Sequence, residues 1–277
     1  TEALQRLVCM ADSGAVDDIV VAFGDNGRAA QPVLDALVAC WRAGAEVIPL
    51  EEYYEIALSY VPVHLIGPNI FALLTPDSDM GRRLWQALRR AADVTVATIG
   101  LVCFAGVLPL LALAIWLDSP GPIFYRQQRV GLADRVFSIA KLRSMVSDAE
   151  SSGGAQWATP NDRRVTRVGR WLRKSRLDEL PQLWNVLVGD MSLIGPRPER
   201  PEFVARLTET LPYYDIRHAI RPGLTGWAQV RYRYGSSEAD ALIKLQYDLY
   251  YLKHRGPLLD ALIALHTLRT IVRLEGQ

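Results

Sequence analysis

Cysteine is scarce in this chain of 277 residues. Cys9, Cys40 and Cys103 stand far apart, and none forms a metal-type pair. The sequence therefore holds no disulfide framework and no cysteine-held metal, and a reducing cytoplasm is expected. No cleavable leader is visible. The chain opens on Thr1 rather than Met, so it reads as a piece of something longer. No G-x-G-x-x-G fingerprint occurs, and no cofactor is expected in the N-terminal region. No finger or recognition-helix motif occurs either, so nucleic acid is not an expected partner.

Net charge is almost absent, at +1, but this sum hides an asymmetry. Residues 1–80 carry 12 acids against 3 bases, and residues 81–277 carry 18 acids against 28 bases. Such a split predicts two units with a boundary near residue 80. A basic second unit suits phosphate-bearing ligands or an anionic membrane face.

In residues 1–80, helix and strand signals alternate. Helices are expected over Glu2–Ala11, Gln31–Ala43 and Glu51–Tyr60, with strands over Asp18–Phe23 and Glu46–Leu50. That order predicts a small parallel α/β unit. The middle helix is expected to carry Val33, Leu34, Leu37, Val38 and Trp41 on one side.

Charge is missing altogether from Val94 to Leu117, a run of 24 residues. A membrane span needs roughly 20, so membrane insertion is predicted for this run. Pro109 inside the run breaks the hydrogen-bond ladder. Arginines flank both ends: Arg82, Arg83, Arg89 and Arg90 before, Arg126, Arg129 and Arg135 after. A crossing helix concentrates bases on one side. Basic flanks on both sides predict a re-entrant helix that turns back at Pro109. Residues 147–162 are polar and read as a loop, either a lid beside the site or a plain connector. Helices are expected over Glu202–Thr210 and Glu238–Lys253. The apolar stretch Leu258–Leu274 is expected to pack under the domain or lie in the membrane interface. His218 reads as structural.

The working centre is Arg163 to Arg200. A basic run ends at Arg176, and Asp178 and Glu179 follow it directly. Pro181 sits three residues after Asp178, ahead of an apolar helical pattern. Asp is a favoured N-cap and Pro is tolerated in a first turn. Asp178 is thus expected to cap a helix ending near Gly189, at the positive end of its dipole. Gly195-Pro196-Arg197-Pro198 reads as a rigid turn holding Arg197 out. An anionic nucleophile, an acidic metal ligand and arginines for oxyanions are the parts of phosphoryl chemistry.

LDELPQLWNVLVGDMSLIGPRPE resembles the signature of the bacterial sugar transferases, the monotopic polyprenyl-phosphate glycosyl-1-phosphate transferases. Gly121-Pro122-Ile123-Phe124 with Gln127, Arg129, Val130 and Gly131 is similar to the family's GPVFFRQERVG segment. Lys141-Leu142-Arg143-Ser144-Met145 is similar to KFRSM, and Arg221-Pro222-Gly223-Leu224-Thr225-Gly226-Trp227-Ala228-Gln229 to RPGITGWAQV. The likeness runs from about residue 85 to the C-terminus. It implies a partial Rossmann-like α/β domain at 1–80 and a linker with a re-entrant membrane helix at 81–118. A mainly α (α+β) catalytic domain follows at 119–277. The family carries Ser before the helix proline, where Leu108 stands here.

The resemblance implies a UDP-sugar donor and a polyprenyl phosphate acceptor. Sugar-1-phosphate passes to the lipid and UMP leaves, at the cytoplasmic face of the bacterial inner membrane. This step initiates exopolysaccharide or other surface glycan synthesis. Asp178 is implied as the covalent nucleophile, Glu179 as a ligand of Mg²⁺ that Asp178 shares, and Arg173 and Arg197 as phosphate contacts. Lys141, Arg143 and Arg129 are further expected phosphate-binding residues. The residues alone do not separate the roles of the two carboxylates. A single-step transfer with Asp178 as metal ligand only is the rival reading within enzymes. A non-catalytic membrane scaffold of a polysaccharide assembly complex is the rival from another class. A homodimer is an open partner.

Overall fold

A computed structural model describes residues 2–22, 30–65, 80–146, 162–232, 235 and 237–273. The expected loop at 147–162 falls outside these residues apart from Asp162, as does Phe23. The chain divides into two units at residue 73.

The first unit alternates as its sequence pattern predicts. Helices α1 (Glu2–Asp12), α2 (Gln31–Arg42) and α3 (Leu50–Leu58) interleave with strands β1 (Asp18–Val21) and β2 (Glu46–Pro49). The strands pair in parallel, Asp18 opposite Glu46 and Val21 opposite Pro49. Ala11, Ile19, Cys40 and Ala45 form the core, with Leu37 packed against them. The face expected of α2 is corrected here. Ala36 and Cys40 turn inward, whereas Leu34, Val38 and Trp41 are exposed. Small side chains let α2 approach the sheet closely, and the larger ones are left outside.

The second unit begins with one long helix, α4 (Met80–Asp118), which continues through Pro109. It is long and apolar enough to cross a membrane by length and composition. Its inner stripe follows helical spacing and meets the rest of the unit. Arg90 donates to the carbonyls of Val186 (2.7 Å) and Leu187 (2.8 Å). Asp93 accepts from Leu193 N at 3.0 Å. Ala97 is buried with Ile139, Leu183 and Val186. Gly100 faces Leu183 so closely that a Cβ there would overlap it. Phe104 and Ile115, on either side of Pro109, are buried in one cluster with Leu142 and Leu172. At the far end Asp118 accepts from Val168 N at 2.8 Å. The outer stripe, including Ile99, Val102, Leu110 and Leu117, is uncovered and apolar.

After α4 an antiparallel hairpin, β3 (Phe124–Val130) and β4 (Val136–Leu142), lays its inner face on the core. Helix α5 (Arg167–Lys174) starts at Thr166, whose side chain accepts from Gly169 N. A 3₁₀ turn, Leu177–Gln182, runs into α6 (Leu183–Val188), which Gly189 ends in the left-handed conformation. The expected cap is corrected by this turn: Asp178 lies inside it and makes no capping bond. The physical reason is Arg176, which takes φ +56° and starts the turn before the carboxylates.

Strand β5 (Ser192–Ile194) pairs in parallel with β6 (Gly223–Thr225), which brings the Gly195–Pro198 turn against Arg221–Gly226. A Cβ on Gly223 would overlap the backbone nitrogen of Gly195, so the close approach requires glycine. Helices α7 (Pro201–Thr210), α8 (Trp227–Arg231), α9 (Glu238–His254) and α10 (Pro257–Val272) complete the unit. Leu245, Leu249 and Leu252 of α9 are buried as its pattern predicts. On α10, Leu258, Leu265 and Leu268 face outward and Ile263 inward.

Candidate active site

Adjacent residues in a 3₁₀ turn point about 120° apart. Asp178 and Glu179, neighbours in the turn Leu177–Gln182, therefore reach different partners. Glu179 is clamped. Its Oε1 meets Lys141 Nζ at 3.4 Å and also pairs with Arg197 Nη2, and its Oε2 meets Arg176 Nη1 at 3.5 Å. Lys141 comes from β4, Arg176 from the start of the turn, and Arg197 from the Gly195–Pro198 turn. Three separate segments thus converge on one carboxylate. Burial alone would raise the Glu179 carboxyl, but Arg197, Lys141 and Arg176 together hold it below the ordinary carboxylate range. In return, Glu179 raises the Arg197 guanidinium. Lys141 is lowered, because burial outweighs the Glu179 charge.

Asp178 is only 7% exposed, yet among the described residues nothing hydrogen-bonds to its carboxylate. It is pushed up to about 6, first by burial and then by the Glu179 charge beside it, against the pull of Lys141, Arg173 and Arg197. Both carboxylates open into a cavity of about 420 Å³, within the usual range for small-molecule sites. The structure thus distinguishes two residues that the sequence could not: one is tied and the other is open.

The remaining expected phosphate-binding residues divide. Arg173 lines the cavity, and its Nε donates to Ser144 Oγ at 3.0 Å. Arg129 also lines it, but donates to Pro198 O (2.9 Å) and Gln127 Oε1 (2.5 Å) and pairs with Glu199 (3.5 Å). Arg143 lines the cavity too, but donates to the carbonyls of Ser119 and Pro120 and fastens the end of α4. His218 is buried and bonds Asp134 Oδ1 through Nδ1 at 2.7 Å, away from the acidic pair.

Sequence reasoning did not single out Arg176, although its place three residues before Glu179 is the spacing of neighbours on a helical turn. Nor did it find Arg217, which carries no local signal. Arg217 is buried, pairs with Asp248 at 2.7 Å, donates to Tyr214 Oη at 2.6 Å, and donates to Arg197 O at 2.9 Å. It thereby supports the backbone that presents Arg197.

Among the described residues no group of three or more His, Cys, Asp or Glu could hold a metal. A pair of carboxylates on the wall of a cavity large enough for a phosphorylated ligand is nonetheless the set Mg²⁺ uses when substrate phosphates supply its other ligands. Asp178 and Glu179 fit that description.

The family model described as bacterial sugar transferase matches residues 84–274. The UDP-N-acetylgalactosamine-undecaprenyl-phosphate N-acetylgalactosaminephosphotransferase of Aeromonas hydrophila is 39% identical over 269 residues, covering 96% of this chain and 62% of that protein. The undecaprenyl-phosphate glucose phosphotransferase of Komagataeibacter xylinus is 35% identical over 274 residues, covering 96% and 50%. The UDP-glucose:undecaprenyl-phosphate glucose-1-phosphate transferase of Caulobacter vibrioides is 42% identical over 218 residues, covering 78% and 81%. The chain thus spans about half to three-fifths of the length of the first two.

Proposed function

Since this chain belongs to the bacterial sugar transferase family, we propose that it moves a sugar-1-phosphate from a UDP-sugar to polyprenyl phosphate and releases UMP. The observation that carries the reading is the contrast within the acidic pair. Glu179 is held by three cations, whereas Asp178 faces the cavity unbonded.

Asp178 is the nucleophile in this reading. Its carboxylate oxygen bonds to the sugar-bearing phosphorus, the bond to the bridging oxygen breaks, and UMP carries off the electron pair. An oxygen of the lipid phosphate then attacks the same phosphorus. The bond to Asp178 breaks, its carboxylate is restored, and the sugar leaves on a lipid diphosphate. The acceptor's second pKa is near roughly 6, so at pH 7 it needs no general base. Arg197 and Lys141 neutralise Glu179 while the donor is absent and turn to the donor's phosphates when it arrives. Bound by Asp178 and Glu179, Mg²⁺ would supply charge neutralisation of the diphosphate. The open Asp178 stands against a scaffold role.

We place the uncovered apolar stripe of α4 in the cytoplasmic leaflet of the inner membrane. Both ends stay on one side in this reading, because Arg90 and Asp93 at one end and Asp118 at the other bond the same unit. Both arms pack on the domain that carries Asp178, so the site lies near the plane of the lipid phosphates.

The test is UMP release from UDP-glucose and UDP-N-acetylgalactosamine, with polyprenyl phosphate and Mg²⁺. The wild type should turn over one of these donors and stop in excess chelator. Asp178→Asn should lose several orders of magnitude, and donor alone should leave a phosphosugar on Asp178. Strong turnover by Asp178→Asn would reject the covalent assignment.

A further inference from the structure

The cavity reaches beyond the acidic pair. Part of its wall comes from α7, α8 and α9, through Phe203, Gln229, Tyr232 and Lys244. Lys244 is half-buried there, and its ammonium donates to Gly235 O at 2.9 Å. That bond uses one of three N–H donors. Among the described residues it makes no ion pair. The charges of Glu199 and Asp240 pull on it and those of Arg197 and Arg217 oppose them, but neither carboxylate comes within ion-pairing distance. Buried charges are ordinarily paired, and a cation lining a cavity without a carboxylate partner calls for an anion from the ligand. On the wall of the same cavity, Gln229 donates to Leu224 O at 3.3 Å, but its Oε1 is buried without a partner. That oxygen asks for a donor, such as a ribose hydroxyl or a nucleobase N–H.

We propose that Lys244 holds the nucleotide-side phosphate of the donor, the phosphate that leaves as UMP, and that Gln229 accepts from the nucleoside beyond it. This assignment rests on the transfer reaction proposed above. The lipid phosphate is the other anion in that reaction, and the packing argues against it. Helix α4 lies on α5, the 3₁₀ turn Leu177–Gln182, α6 and β5, whereas the helix carrying Lys244 packs on α8 and the 3₁₀ turn Tyr214–Ala219 and meets α4 where Arg89, ahead of the uncharged run, lies over the Tyr251 ring. Lys244 thus lies seven residues along its helix from that contact and away from the uncharged run, which favours the water-soluble nucleotide over the lipid. A cation there meets the charge that grows on the departing phosphate as Asp178 attacks.

The experiment is equilibrium binding of UMP and of uridine to the full chain in detergent with Mg²⁺, together with steady-state kinetics in polyprenyl phosphate. Lys244→Met and Lys244→Gln should weaken UMP binding roughly ten- to a hundredfold, the effect of one charged hydrogen bond. Uridine, which lacks the phosphate, should bind all forms alike. Lys244→Arg, which keeps the charge, should stay within a few-fold of wild type for UMP. Unchanged UMP affinity in both charge-free variants would overturn the assignment and leave the transfer reaction standing. A loss seen only in the KM for polyprenyl phosphate would also overturn it, giving Lys244 to the lipid. If the wild type binds no UMP, the donor itself is wrong and the assignment falls with it.

Discussion

Asp178 and Glu179 have nearly the same chemistry and opposite environments. Burial and the neighbouring charge push Asp178 up to about 6, so a fraction of it is protonated in mild acid and unable to attack. Release of UMP in a single turnover without acceptor isolates this group from the lipid phosphate, which titrates in the same range. The kcat/KM for that step should fall tenfold per pH unit below a limb at or below about 6. A bound cation favours the ionised form, so lowering Mg²⁺ should move the limb upward. A flat profile between pH 5 and 7 would mean that Asp178 is not the titrating nucleophile. The sequence made both carboxylates legible, along with Arg197 and Lys141, because they stand in motifs resembling a family signature. Arg176 was hidden within a basic run that has no internal contrast. Lys244 was hidden because a helix pattern gives a side chain's face, not the cavity wall it reaches.

Elements meet here through a few buried polar ties. Arg217 joins the 3₁₀ turn Tyr214–Ala219, α9 through Asp248, and the backbone of Arg197. Replacing it with Met leaves a buried carboxylate unpaired, a loss of about 3–5 kcal/mol. Burial already raises Asp248 to about 6 against the pull of Arg217, and without Arg217 it rises further. The neutral acid is the easier form to bury, so the deficit should shrink as pH falls from 7 to 5. Urea midpoints of wild type and Arg217→Met at the two pH values test this; equal midpoints at pH 7 would show the tie to be unimportant. Element positions were mostly legible, since periodicity and glycine or proline stops mark them directly. The face of α2 was misread because hydrophobicity favours Leu34, Val38 and Trp41, while close packing chose Ala36 and Cys40. The cap at Asp178 was misread because the left-handed turn at Arg176 leaves no trace in residue type.

At the scale of the molecule, the uncharged run gave the long helix, but its inner stripe could not be read from it. Ala97, Phe104 and Ile115 look like any other members of an apolar stretch, and only the fold distinguishes them from Val102 and Leu110. If both ends of α4 stay on one side, cysteines placed near Arg83 and Arg135 should label from the same side of sealed, oriented vesicles, with the native cysteines removed. Labelling from opposite sides would make α4 a crossing helix. The inner stripe also bears on how the protein is made. Ala97, Phe104 and Ile115 belong to the same buried clusters as Ile139, Leu142, Leu172 and Leu183, and they precede those partners in the chain. At about 5–20 residues per second, the stretch from β3 to α9 is synthesised over roughly seven to twenty-six seconds after α4. The helix is therefore complete before the partners of its inner stripe exist, and the catalytic unit assembles on a stripe already made. A chain deprived of that stripe lacks buried members of both clusters and cannot close the same core.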